Sequence, residues 1–77
     1  MDDTLTATDT LWSSIAAVLE GEIARGHYPP GARLPTESAL AARFGVHRHT
    51  LRRALADLGA RGLVRSRRGA GVFVSGG

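Results

Sequence analysis

Six residues suited to gripping a polyanion stand almost together: His47, Arg48, His49, Thr50, Arg52 and Arg53. A second group, Arg67-Arg68-Gly69, follows further along the chain. A guanidinium is a planar, permanently charged fork of donors that fits a phosphate or the O6 and N7 edge of guanine. Arg48 and Arg52 are four residues apart, about one helical turn, so both can serve one groove. Thr50 and His49 are shorter and can donate to a phosphate or to a base. Metal chemistry finds little support. His27, His47 and His49 are the only imidazoles, and there is no cysteine. Two residues apart on a helix, His47 and His49 should diverge by about 200° and not share an ion. No nucleophile stands beside a base, so neither catalysis nor a cofactor is expected.

The charge is unevenly spread. Residues 1–38 hold six acids against Arg25 and Arg33, a net of −4. Residues 39–77 hold eight arginines against Asp57 alone, a net of +7. A basic half on so small a chain implies a polyanionic partner or a solvated basic surface, and composition alone does not choose between them. All ten basic residues are arginine. Seventy-seven residues make one small domain with a thin core. Without cysteine no disulfide can staple it, which fits a reducing, cytoplasmic setting. No apolar run is long enough to span a membrane, and the acidic start Met1-Asp2-Asp3 does not read as a signal peptide.

The elements that must position these residues follow from periodicity and punctuation. Residues 1–9 read as a disordered leader. Asp9 or Thr10 can cap a helix from Leu11 to about Arg25. Leu11, Ile15, Val18, Leu19, Glu22 and Ile23 form its stripe, Trp12 packs beside it, and Gly26 ends it. Gly21 interrupts this helix and would be explained by close packing against a neighbour. Pro29-Pro30-Gly31 makes a rigid turn. Arg33-Leu34 is too short for a strand of its own but can add an edge to a hairpin. Thr36 caps a second helix, with Glu37 at the positive end of its dipole. That helix ends at Phe44, where Gly45 turns the chain and Val46 points inward. His47 caps the third helix, anchored by Leu51, Ala54, Leu55 and Leu58. Asp57 precedes Arg61 by four residues, the favourable order for an ion pair, and Gly62 stops the helix. Leu63–Ser66 and Gly71–Val74 then read as an antiparallel hairpin with a basic tip over 67–70. Residues 76–77 read as a tail or linker.

Helix, turn, helix, tight turn, helix and basic hairpin make an α+β winged helix-turn-helix over residues 10–75. In that fold the third helix lies in the major groove of double-stranded DNA. The hairpin tip, Arg67 and Arg68 beside glycine, suits the minor groove. The same fold can serve protein–protein contacts, but arginines rather than an apolar patch on the outer face favour DNA.

Six stretches carry a family resemblance: Tyr28-Pro29-Pro30-Gly31, Leu34-Pro35-Thr36-Glu37, Leu40-Ala41-Ala42-Arg43-Phe44-Gly45-Val46, Arg48-His49-Thr50-Leu51-Arg52-Arg53-Ala54-Leu55, Gly62-Leu63-Val64 and Gly69-Ala70-Gly71-Val72-Phe73-Val74. Over about residues 10–75 the chain resembles the DNA-binding domain of GntR-family bacterial transcription regulators. The Gly-x-Gly-x-Phe-Val close of the hairpin is similar to the HutC-type subfamily, and the run Arg48–Ala54 to a phosphonate-utilisation repressor within it. The resemblance implies that Arg48, Thr50 and Arg52 contact operator DNA and that Arg68 and Gly69 reach the minor groove. His47 and His49 stand at family contact positions where Ser or Thr is commoner. Ser38 stands where many members carry a DNA-contacting arginine. The expected DNA-binding set is Thr36, His47, Arg48, His49, Thr50, Arg52, Arg53, Arg67, Arg68 and Gly69. Family members usually add a C-terminal effector-binding and dimerisation domain. The resemblance therefore implies an isolated or truncated DNA-binding domain of a repressor, acting as a homodimer on a palindromic operator.

Overall fold

A computed structural model describes residues 3–76, and the surroundings of side chains 11–76. The order is α1 (Asp3–Ala24), α2 (Glu37–Phe44), α3 (Arg48–Ala60), β1 (Val64–Arg67) and β2 (Gly71–Val74). This is the winged helix-turn-helix that the residue pattern predicts.

The largest departure is at the start. The expected leader is helical from Asp3 onward, eight residues before Leu11, while residues 1–2 lie outside the described residues. No proline or glycine falls between Asp3 and Glu20. A nucleated helix gains one hydrogen bond per residue added, so nothing in the backbone stops it at the expected cap. The buried stripe is also turned relative to expectation. Ile15, Ala16, Leu19 and Glu22 are buried, with Trp12 and Ile23 packed against the core. Leu11 and Val18 lie about 90° around the helix from that line and are 51% and 43% exposed. The C-terminus closes as expected. Gly26 takes φ 81° and donates to the Ile23 carbonyl, while the His27 N–H reaches the Glu22 carbonyl at 2.9 Å.

The middle of the chain follows its punctuation closely. Thr36 Oγ1 accepts from the Ala39 N–H at 3.1 Å and caps α2. Gly45 takes φ 67° and ψ 37° and donates to the carbonyls of Ala41 and Ala42. The Val46 N–H reaches the Ala41 carbonyl at 3.0 Å, so two successive amides lock the α2–α3 turn. Leu51, Ala54, Leu55 and Leu58 bury the inner face of α3 against Leu19, Leu34 and Leu40.

The hairpin pairs Val64 with Val74, Arg65 with Phe73, Ser66 with Val72 and Arg67 with Gly71. Its first strand therefore starts one residue later than expected, and its tip shrinks to Arg68-Gly69-Ala70. The cause is the end of α3, where the Leu63 N–H is committed to the Leu58 carbonyl at 2.9 Å. Arg33-Leu34 does add an edge. Arg33 bridges Phe73, and the Leu34 N–H meets the Val72 carbonyl at 2.8 Å. The Val74 N–H returns to the Ala32 carbonyl at the same distance. The segment before α2 is thereby bonded to the hairpin, which fixes the wing relative to the helix pair.

Candidate nucleic-acid interface

The outer face of α3 is set by what its inner face buries. At about 100° per residue, His49 stands opposite the buried leucines. Arg48 and Arg52 lie on the side of the wing, and Thr50 and Arg53 on the side of α1. Two clefts record the wing side. One of about 290 Å³ is lined by Arg48, Arg33, Thr36 and Gly71. The other, of similar volume, is lined by Arg52, Glu37, Ala56, Ser66 and Val72. The expected residues therefore divide. Arg48, Arg52 and Thr36 are brought together beside the wing. Arg68 and Gly69 stand exposed at the tip, Gly69 with φ 74°. Thr50 is half-buried, and Arg53 lies over the Trp12 ring of α1, 5.1 Å from its centroid. Arg67 lies over Phe73 at 5.8 Å, so its stem follows the strand rather than the tip.

One expectation is overturned. His47 and His49 do not diverge: their rings stack, with centroids 5.8 Å apart and planes 22° from parallel. Helical periodicity does not apply to His47, because as the cap residue it is extended, with φ −68° and ψ 152°. Its side chain makes no capping hydrogen bond. The two exposed imidazoles form one unit at the amino end of α3. Among the described residues no group of three or more metal-binding side chains is gathered.

Ion pairing separates Arg43 and Arg61 from the arginines of the wing and its neighbourhood. On the α1 side, Arg43 donates to both carboxylate oxygens of Glu22, one contact being 3.0 Å. Glu22 is buried, and the hydrogen bonds from Arg43 hold its carboxyl below the usual range, against the opposing effect of burial. The same pair holds the Arg43 guanidinium more firmly charged. Arg61 bonds Glu20 at 2.8 Å and Asp57 at 2.9 Å, which adds an inter-helix partner to the expected pair within α3. Arg52 has only a marginal contact, 3.9 Å to Glu37. Among the described residues no carboxylate pairs with Arg33, Arg48, Arg65, Arg67 or Arg68. These five lie on the wing and the adjoining edge of α3, and Arg25, just past the end of α1, likewise has no carboxylate partner among the described residues. Arg33 is the member that residue order hides. It sits in the acidic half of the sequence and reaches this face only through its bridge to β2. The edge-forming habit of Arg33-Leu34 was the available signal.

Residues 11–74 match the family of bacterial regulatory proteins, gntR family. The chain belongs to the GntR family. It is a winged-helix DNA-binding domain of that family, which comprises regulators rather than enzymes. This GntR domain is 52% identical over 69 residues to the probable transcriptional regulator PhnF of Escherichia coli K12, covering 90% of this chain and 28% of that protein. It is 45% identical over 64 residues to the mannosyl-D-glycerate transport/metabolism system repressor MngR of the same organism, covering 83% of this chain and 27% of that one. The chain thus spans little more than a quarter of the length of these relatives. Among solved structures it is similar to the AraR DNA-binding domain in complex with operator ORX1. The TM-score is 0.83 at 37% identity, over 84% of this chain and 78% of that one. Among the described residues no helix is long and apolar enough to cross a membrane.

Proposed function

We propose that this domain binds double-stranded DNA sequence-specifically as the reading head of a repressor. In this reading α3 enters the major groove and the wing tip the minor groove. Arg48 and Arg52 read bases, with His49 and Thr50 as shorter donors. Thr36, His47, Arg53 and Arg67 hold phosphates, and Arg68 and Gly69 follow the minor groove. The observation that carries the reading is that Arg33, Arg48, Arg67 and Arg68, on the wing and the adjoining edge of α3, have no carboxylate partner, while Arg43 and Arg61 are paired with acids. Phosphate contacts would supply most of the affinity and release counterions, and base contacts the discrimination. The operator-bound AraR domains support duplex DNA as the partner, and the repressor MngR supports the direction of control.

The finer reading is a HutC-type repressor acting in the cytoplasm. Residues 10–75 form the DNA-binding unit, and 76–77 lead toward an effector-binding domain. Two copies bind a palindrome, dimerised mainly through that further domain. Control of phosphonate metabolism is supported by the similarity to PhnF alone. Selection of bound duplexes from a random pool tests the reading. Inverted repeats are expected among the enriched sequences. Enrichment of single, unpaired sites would remove the palindrome, and no enrichment at all would remove sequence-specific binding. A winged helix serving protein contacts would give that last result.

A further inference from the structure

We propose that Arg33 grips a backbone phosphate of the bound duplex in the cleft between the wing and α3, tying the minor-groove element to the reading helix. The inference rests on the DNA-binding reading above and adds a contact residue outside the helix-turn-helix and the wing tip. Four observations carry it. Arg33 is held in place by backbone: its antiparallel bridge to Phe73 and the Leu34–Val72 hydrogen bond fix it along β2. Its guanidinium lies against bare main chain. A Cβ on Gly71 would stand 2.8 Å from Arg33 Nε and 3.5 Å from Cζ, so glycine makes the room. Among the described residues no carboxylate pairs with it, whereas Arg43 and Arg61 are each firmly bonded to acids. It shares its cleft with Arg48, and the one acid there, Glu37, lies 3.9 Å from Arg52 Nε.

Two arginines lining one cleft raise the positive potential there, which an anion relieves. A guanidinium set close against backbone on its Nε side keeps its outer N–H groups free to donate, which suits a phosphate oxygen. The Arg33 backbone bridges the middle of β2, and its guanidinium reaches along the strand to Gly71, beside the tip and off α3. That place matches the sugar–phosphate rim between two grooves better than the floor of either.

The test compares wild type, Arg33→Gln and Arg33→Lys on a mixed-sequence duplex and on a selected duplex, across a range of salt. Arg33→Gln should lose roughly three- to tenfold in affinity on both duplexes alike. Its plot of log Kobs against log salt should flatten by about 0.9. Arg33→Lys should recover the slope. Gly71→Ala should weaken binding in wild type and add little in the Arg33→Gln background. An unchanged slope in Arg33→Gln overturns the proposal, as does a loss confined to the selected duplex, which would make Arg33 a base contact. Failure of wild type to bind either duplex would instead remove the DNA-binding reading itself. Circular dichroism checks folding, and if Arg33→Gln melts early, Arg33→Met, which keeps the apolar stem and removes the charge, carries the same slope test.

Discussion

Arg52 is the proposed base-reading residue that also has an acid within reach. It lies on the wing side of α3, largely exposed, with Glu37 3.9 Å away. At that distance, between two exposed side chains, the pair contributes little to stability. Replacing Arg52 by alanine should cost about 1–3 kcal/mol in binding and flatten preference at one base position. A competition assay over single-base variants of a selected site measures this, and a uniform loss across variants would make Arg52 a phosphate contact. Glu37→Gln should therefore leave the urea midpoint almost unchanged. The stacked His47 and His49 show how far a residue's role depends on the element it belongs to. On a continuous helix they would be opposed, and one extended cap residue makes them neighbours.

The elements differ in how far residue order alone defines them. Thr36, Gly45, Gly26 and Gly62 mark their boundaries because each meets a local backbone demand that few other residues meet. Two glycines separate the local demand from the rest. Gly45 has φ 67°, and a Cβ there would meet nothing within 4 Å, so the cost of alanine is conformational alone. Gly45→Ala should destabilise by about 1–2 kcal/mol. Gly21 lies inside α1 at an ordinary helical φ, and a Cβ would meet only the flexible end of Arg25 at 3.3 Å. No packed neighbour explains this glycine, and Gly21→Ala should stabilise by roughly 0.5–1 kcal/mol. Urea midpoints of the two variants should move in opposite directions. What residue order did not give was tertiary. Leu11 and Val18 satisfy the helical rhythm, but the direction of α1 is set by its packing on α3. Arg43 and Glu22 are far apart in the chain, so nothing local reveals their bridge. That bridge makes stability depend on pH. The Glu22 carboxyl is held below its ordinary range in the folded chain, so its contribution is complete above about pH 5 and fades as pH falls through the folded value. Glu22→Gln should cost about 1–2 kcal/mol at neutral pH, and the gap should narrow toward pH 3. An equal penalty at both pH values would assign the cost to packing.

Across the whole molecule the acids act as an internal counter-charge. Glu20, Glu22 and Asp57 neutralise Arg61 and Arg43 where α1 meets the helix pair. The net charge of +3 therefore understates what a duplex meets, because five arginines without a carboxylate partner belong to the wing, its edge strand and the start of α3. If Arg33, Arg53, Arg67 and Arg68 supply most of the charged backbone contacts, one domain on DNA should give a slope of log Kobs against log salt of about −3 to −4. Two domains on one palindrome should roughly double it. Removing Arg67 and Arg68 together should flatten the slope by as much as about 1.8 per domain. Replacing Arg61 should leave the slope unchanged, because its charge is already spent on Glu20 and Asp57. Anisotropy titrations over a series of salt concentrations read all three. Equal flattening by the Arg61 and wing variants would mean that DNA meets the molecule's net charge rather than this face. In that case the separation of paired from unpaired arginines would have no part in binding.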